Sequence, residues 1–224
     1  FLVKKPGSSN VQYDALSASG LLMENEMCYG KYSIPSYHFE NAKVIVSLGA
    51  DFLGTWLNPV EYARQYAAGR KINQSNPDMS KHIHFESMLS LTGANADDRY
   101  VHRPSETGAV AMALYAKLGG AVSAPALADE RLKKGIDLAA NMLKSANGDA
   151  LVVSGSNDLN VQIVVNAINE AIGANGKTIN WATTLNTRQG NDKNMAQLVQ
   201  DRNDGKIGAL IIQGVNPAYD YYDA

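Results

Sequence analysis

The sequence Lys43-Val-Ile-Val-Ser-Leu-Gly49 has an apolar, β-branched centre and ends at a glycine. Such a run predicts a strand with both faces buried. The same pattern returns in Ala150-Leu-Val-Val-Ser-Gly155 and in Ala209-Leu-Ile-Ile-Gln-Gly214. Because strands without a polar face need cover on both sides, the three runs predict an α/β protein with a mostly parallel sheet and helices on both faces.

Amphipathic stretches separate these runs and predict the remaining elements. Shorter strands are expected at residues 82–88 and 177–181. Asp14, Asn58 and Ser105 are expected to cap the first three helices. Helices are predicted at residues 14–27, 58–68, 105–118, 128–146, 161–172 and 191–202. This alternation is typical of a doubly wound, Rossmann-like sheet.

Composition excludes several classes of protein. The 224 residues carry a net charge of −2, which is not the electrostatic pattern of a nucleic-acid-binding protein. No apolar run approaches the roughly 20 residues of a membrane span, so we expect no membrane insertion by this chain. Its one cysteine, Cys28, cannot form an internal disulfide or hold an iron–sulfur cluster.

The glycine- and proline-containing stretch at residues 119–125 is the most plausible linker in the chain. It divides the sequence into a first α/β lobe, residues 1–120, and a second, residues 121–224. One continuous domain is the alternative. Since the chain begins at Phe1 and not at methionine, we expect it to be part of a longer polypeptide.

The carboxyl ends of parallel strands meet at one edge of a sheet, where ligands of α/β proteins bind. We therefore expect any site in the loops at residues 49–56, 91–98, 155–158 and 214–219. No Gly-x-Gly-x-x-Gly fingerprint precedes a helix, and Gly176-Lys177-Thr178 follows a helix where a phosphate-binding loop would follow a strand. Ser154 and Ser156 lack the flanking glycines of a nucleophile elbow.

Two further groups of residues are candidates for chemistry. His82 and His84 lie two apart on a predicted strand and, with Glu86, form a possible metal site; cross-strand polar pairing is the commoner arrangement. Asp51 and the pair Asp97-Asp98 follow or precede strands and have the chemistry of acid–base groups. Carboxylates in such loops serve more often as helix caps or arginine partners.

Six segments together resemble the molybdopterin oxidoreductase superfamily of the dimethyl-sulfoxide-reductase type. In order along the chain, they are residues 39–49, 92–97, 103–104, 152–156, 173–176 and 209–217. The last, Ala209-Leu-Ile-Ile-Gln-Gly-Val-Asn-Pro217, is similar to a recurring strand–Gly-x-Asn-Pro element of the family. Each motif is weak alone, and their order makes the resemblance more specific.

Residues 47–54 and 59–66 resemble one branch, the molybdopterin-oxidoreductase-like iron–sulfur subunit of bacterial alternative complex III. This resemblance implies a fragment of a larger subunit in a membrane-bound respiratory complex that oxidises quinol. It also implies a position on the periplasmic face, other subunits of the complex as partners, and no nucleic acid. Iron–sulfur clusters and any molybdenum ligand would lie outside the chain, and we expect no redox turnover from the chain alone.

The resemblance also implies two seats for a pterin dinucleotide, complete or vestigial. The residues of the first seat are Gly49, Asp51, Glu86, Thr92 and Arg103, and those of the second are Gly155, Ser156, Asn157, Gly214 and Asn216. The first seat departs from the family pattern. Asp51-Phe52 replaces Asn-Pro, Glu86-Ser87-Met88 replaces Asp-Pro-Arg, and Ser105-Glu106-Thr107 replaces Gly-Thr-Asp.

Asp51 places a negative charge near the expected phosphates and Met88 offers no charge in place of the arginine, and both changes disfavour phosphate binding. Three functions remain open from the sequence. The first is a scaffold that has lost its pterin and docks within a respiratory complex. The second is part of a working molybdopterin enzyme, and the third is an unrelated sugar- or nucleotide-binding α/β domain.

Overall fold

A computed structural model describes residues 7–72 and 77–223. Its centre is a four-stranded parallel sheet in the order β4-β3-β2-β5. The strands are β2 (Val44–Leu48), β3 (Lys81–Glu86), β4 (Asp98–Val101) and β5 (Ala150–Ser154). The expected strands at residues 43–48 and 150–154 are confirmed. In the sheet, Val46 lies opposite both Ile83 and Val152.

Every residue of β2 and of β5 is buried, as their apolar sequences predict. Helices flank the sheet, so the expected α/β class is confirmed. The helices are α1 (Ser19–Tyr29), α2 (Pro59–Gly69), α3 (Leu91–Ala94), α4 (Thr107–Lys117), α5 (Glu130–Ser145), α6 (Leu159–Ala171), α7 (Asp192–Asn203) and α8 (Pro217–Asp220). Short 3-10 turns occupy Phe39–Asn41 and Pro104–Glu106.

Two of the expected helix caps are wrong, and the third, Asn58, occupies the N-cap position of α2 without a capping hydrogen bond from its side chain. The carboxylate of Asp14 accepts hydrogen bonds from the backbone N–H groups of Gln189 and Gly190, at 2.9 and 2.7 Å, and the helix begins five residues later. Ser105 lies inside a 3-10 turn, because Pro104 starts a turn before α4 begins. Distant and proline-induced contacts override the local capping preference at both positions.

A second, two-stranded antiparallel sheet joins β1 (Ile34–Tyr37) to β6 (Ile179–Leu185). The sequence predicts part of β6 but not β1, which is short and contains Pro35. This small sheet brings residues near the start of the chain against residues far along it. Between them, the two sheets combine strands from both expected lobes, and the division at residue 120 stays a prediction.

The outer edge of β5 is closed by side chains. Thr178 Oγ1 donates to the carbonyl of Ala150 at 2.7 Å, and the amide of Asn169 bonds both the N–H and the carbonyl of Val152 at 3.0 and 2.8 Å. Gln162 Nε2 donates to the carbonyl of Ser154 at 3.1 Å. All the outward-facing carbonyls of β5 are therefore paired, and another strand is not needed to satisfy them.

The strand expected at residues 209–213 does not form. Its side chains are exposed, with Ile211 at 74% of its maximal accessibility. An apolar run forms a strand only when a neighbouring edge accepts it, and the side chains of Thr178, Asn169 and Gln162 occupy the edge of β5. Among the described residues, no helix is long and apolar enough to cross a membrane.

Candidate functional site

The loops that follow β2, β3, β4 and β5 lie at the carboxyl edge of the parallel sheet, where α/β proteins bind ligands. Eight of the ten predicted site residues lie in or beside these loops: Gly49, Asp51, Glu86, Thr92, Arg103, Gly155, Ser156 and Asn157. Gly214 and Asn216 do not follow a sheet strand, because residues 209–213 form none. Asn216 instead precedes the short helix α8.

The chain leaves β2 towards β3 on one side and returns as β5 on the other, so the crevice between β2 and β5 is the topological switch point of the sheet. This crevice is closed. The N–H of Gly155 donates to the carbonyl of Leu48 at 3.0 Å, and a Cβ at Gly155 would overlap the carbonyl oxygen of Gly49. Gly155 therefore allows the loops to approach each other, whereas Gly49 supplies the left-handed turn, with φ at +63°, that ends β2.

Asp51 turns its carboxylate towards the short helix α3. Oδ1 accepts a hydrogen bond from the backbone N–H of Thr92 at 3.0 Å, and the Thr92 hydroxyl accepts one from the N–H of Leu53 at 2.9 Å. Each of the two loops, the one after β2 and the one after β3, thus donates one hydrogen bond to the other. A carboxylate of the protein occupies the N–H group of Thr92 that an anion would otherwise use.

The Glu86 carboxylate is 3% exposed and lies between three donors. It accepts hydrogen bonds from the N–H of Ser90 at 3.1 Å and from Arg99 Nε, and it lies 3.0 Å from His84 Nε2. Burial raises the pKa of Glu86, but the bonds from Arg99, Ser90 and His84 outweigh burial and hold that pKa below its ordinary value. Gly93 packs so closely on this carboxylate that a Cβ there would overlap it.

His82 and His84 connect β3 to β2 and do not form a metal pair. Ser47, which lies opposite His84 in the sheet, has its hydroxyl 2.8 Å from His82 Nε2 and hydrogen-bonded to His84 Nδ1. The remaining ring nitrogens face Tyr66 and Glu86. Cross-strand polar pairing is therefore confirmed, and all four ring nitrogens have protein partners.

The hydrogen bonds along this network share one direction. An ionised Glu86 only accepts, so His84 donates from Nε2 and accepts at Nδ1 from the Ser47 hydroxyl. Ser47 then accepts from His82 Nε2, and the single proton of the Tyr66 hydroxyl is shared between His82 Nδ1 at 3.2 Å and the carbonyl of Asn95 at 3.0 Å. The acceptor role of His84 Nδ1 requires a neutral His84 imidazole. Burial and the adjacent His84 lower the pKa of His82 to about 3, and burial lowers that of His84 although Glu86 opposes it.

Ser47, His84 and Glu86 have the residue types of a nucleophile, a base and an orienting carboxylate. Ser47 and His84 are 0% exposed, however, and lie within the sheet. No substrate can reach the Ser47 hydroxyl without opening the sheet. The network therefore ties β2 to β3 and does not support hydrolysis. The sequence signal for this network was Ser47, a polar residue within the apolar run of residues 43–48.

The loop after β5 is covered by other parts of the chain. Asn157 Oδ1 accepts from the N–H of Gly20 in α1 at 2.8 Å, and its Nδ2 donates to Asp192 at the start of α7 at 3.0 Å. The N–H of Ser156 donates to the Ser154 hydroxyl at 3.2 Å. Because α1 and α7 pack against this loop, the second expected seat is occupied by protein.

Arg103 and His102 are polar residues at this edge whose side chains keep hydrogen-bonding groups without a partner among the described residues. Arg103 is exposed, and its guanidinium forms no ion pair with a described residue. His102 Nδ1 donates to the Arg103 carbonyl at 2.7 Å, and the buried Nε2 has no hydrogen-bond partner in the described part of the chain. Within residues 7–72 and 77–223, no group of three metal-ligating side chains comes together.

Large apolar side chains are also exposed at this edge. They are exposed after β3 and at the end of β4: Met88 at 81%, Leu89 at 64%, Leu91 at 55% and Val101 at 52%. Glu86 pairs with Val101 in the sheet, so these residues belong to neighbouring strand ends. An apolar surface of this kind is typical of a protein interface.

Comparison of the chain with protein-family models and with curated proteins found no match.

Proposed function

We propose that the chain is a scaffold domain of a molybdopterin-oxidoreductase-like iron–sulfur subunit. In this proposal it is one part of a larger subunit of a quinol-oxidising respiratory complex at the periplasmic face of the bacterial inner membrane. It docks onto other subunits and holds no pterin. The resemblance of residues 39–54 and 92–97 supports the ancestry, and the sheet order supports a doubly wound sheet.

The main observation in favour of an absent pterin is the hydrogen bond from the Thr92 N–H to the Asp51 carboxylate. A pterin dinucleotide contains a diphosphate, which needs free N–H donors and cations. At the first seat the donor is already used, and the side chain that uses it is anionic. An approaching phosphate would face both a missing donor and a like charge.

The second seat does not fit a diphosphate either. The closed contact between Gly49 and Gly155 occupies the crevice at the switch point, and Asn157 is bonded to α1 and α7. Opening this seat would break these contacts and detach two helix ends. The residues present therefore do not fit the group that the resemblance implies, and structural roles for the glycines explain them better.

The exposed apolar residues at the same edge support a docking role. Met88, Leu89, Leu91 and Val101 offer apolar surface beside loops that are held rigid by the bonds of Asp51 and Glu86. Burial of such side chains against another subunit is favourable, at about 25 cal/mol per Å² of apolar surface. A rigid, apolar surface without a ligand crevice suits protein contact better than catalysis.

Metal analysis of the complete subunit, purified from its membrane complex, tests the proposal. We expect iron at cluster stoichiometry, with molybdenum and tungsten far below one atom per subunit. One molybdenum or tungsten atom per subunit would overturn the scaffold and support the working enzyme. A subunit with neither iron nor these metals would remove the assignment to an iron–sulfur protein.

A further inference from the structure

A groove of about 400 Å³ lies between the edge strand β4 and helix α5. Asp97, Asp98, Arg99 and Tyr100 line it on the strand side, and Arg131 and Lys134 on the helix side. Asp97 accepts from the N–H of His82, at the start of β3, so the groove runs from the amino-terminal end of the strands. It is therefore separate from the carboxyl edge described above.

Gly135 brings the helix and the strand together. The Tyr100 ring packs directly on the backbone of Gly135, and a Cβ at that position would lie 2.6 Å from the ring. The ring also stacks on Phe85 at a centroid distance of 5.3 Å. Tyr100 is thus held in a fixed position, and the side chains of the first turns of α5 lie over the strand.

The carboxylates of the groove are already neutralised. Asp97 pairs with Arg70 at 2.7 Å, and Asp98 pairs with Lys81 at 2.8 Å. Arg99 pairs with Glu86, on the neighbouring strand. These three carboxylates and three cations cancel, and each pair is made with a residue of the sheet or of α2. All six charged side chains therefore have a protein partner and need no ligand to balance their charge.

Arg131 and Lys134 remain as a surplus of two positive charges. Neither forms an ion pair with a residue in the described ranges, although the chain as a whole carries a net charge of −2. They lie three positions apart on α5 and therefore on one face of the helix. Asp129, which caps α5, uses its carboxylate for the N–H groups of Arg131 and Leu132.

We propose that this groove binds a small ligand through a phosphate group. A guanidinium offers two parallel N–H donors that match two oxygens of a phosphate, and an ammonium adds a second charge-assisted bond. The phosphate would bridge Arg131 and Lys134, with Tyr100 at the floor of the groove. Because the groove uses neither the first nor the second pterin seat, the proposal does not depend on the scaffold function.

The probe is inorganic phosphate, titrated into the ¹⁵N-labelled protein at constant ionic strength with chloride as the balancing anion. We expect saturable shifts of the backbone amides of Asp98, Arg99, Tyr100 and Arg131. The variants R131Q and K134Q should each weaken binding at least about tenfold, since R131Q removes the paired guanidinium bonds and K134Q removes the ammonium bond. K144Q, at the exposed far end of α5, is the matched control and should bind like the unmodified protein.

The amide spectra of the variants also report whether they are folded, so a loss of binding in a folded variant supports the proposal. Three results would overturn it. The first is no saturable shift with phosphate, and the second is equal binding by the R131Q/K134Q variant. The third is the same weakening by K144Q, which would indicate general charge attraction and no defined site.

Discussion

The Asp51 carboxylate accepts a hydrogen bond from the backbone N–H of Thr92 at 3.0 Å, across two loops at the carboxyl edge of the sheet. This bond occupies one of the free amides at the start of α3, which are the natural anion donors of such an edge. Asp51 would repel a phosphate by its charge, and it also accepts the hydrogen bond that the Thr92 N–H could otherwise donate to an anion. Asp51 therefore adds a negative charge at this edge and also occupies one of its N–H donors.

Asp51→Ala should destabilise the protein by about 1–2 kcal/mol, because it leaves the N–H of the buried residue Thr92 without its acceptor. Chemical denaturation measures the change in the free energy of unfolding. Glu26→Ala, at an exposed position of α1, is the control and should stay within about 0.5 kcal/mol of the parent. Equal stability of the Asp51 variant and the parent would show that the bond contributes nothing.

Gly155→Ala should cost about 1–3 kcal/mol or more, since its Cβ would overlap the carbonyl oxygen of Gly49. Gly108→Ala is the matched comparison. A Cβ at Gly108 would meet only the Val161 methyl at 3.7 Å, and alanine has the better helix propensity in α4. Thermal melting should separate the two variants, with Gly108→Ala unchanged or more stable. Similar losses in both would contradict the closed crevice.

Acid should unfold the protein through His82. Burial and His84 lower its pKa to about 3 in the folded chain, from 6.5 when unfolded. The unfolded state therefore binds more protons, and stability present above pH 6.5 is lost as pH falls towards 3. The free energy of unfolding, measured across this interval, should fall less steeply in His82→Gln than in the parent.

His38→Gln is the control for this titration, since His38 lies near the surface beside Glu40. It should keep the steep acid dependence of the parent. If His82→Gln and His38→Gln gave the same slope, the buried network would not be the source of acid sensitivity.

A rise in pH should weaken the packing of α1 on α6, because the buried Glu24 carboxyl then loses its proton. Burial raises the pKa of this carboxyl to about 8, from 4.5, and a hydrogen bond with Cys28 opposes the shift only in part. Asn166 bonds Oε1, while the buried Oε2 has no partner in the described part of the chain. The folded state binds more protons, so stability is lost as pH rises from 4.5 to about 8.

Glu24→Gln removes this ionisation and should abolish the loss. Unfolding free energies measured at about pH 7 and about pH 8.5, above the interval in which His82 titrates, should differ in the parent and agree in the variant. Glu26→Gln, two positions along the same helix but exposed, should keep the difference. A parent whose stability does not change over this interval would contradict a protonated Glu24.

The buried parts of the fold could be predicted from the sequence. Residues 43–49 and 150–155 have apolar, β-branched centres and end at a glycine, so their strands follow from local sequence. The run at residues 209–213 looks the same but is exposed, because a strand also needs a free edge, and distant side chains close the edge of β5. β1 was missed since its pairing with β6 depends on residues far apart in the sequence.

The candidate site was predictable in its residues but not in its bonds. Strand order places Gly49 and Gly155 together, and the sequence indicates a carboxylate at position 51. That this carboxylate bonds Thr92 depends on the path of two loops, which no local pattern encodes. Likewise, the spacing of His82 and His84 predicts one face of a strand, whereas the sharing of Ser47 depends on register.

The closed sheet edge is tested most directly by titration of the ¹⁵N-labelled chain with guanosine diphosphate, a soluble probe for the diphosphate of a dinucleotide. We predict no saturable shift of the backbone amides of Gly49, Asp51, Thr92, Gly155 or Asn157. Shifts confined to Asp98, Tyr100 and Arg131 would report the separate groove on α5. Saturable shifts at Asp51 and Thr92 together would show that a diphosphate enters the seat, and would contradict the account.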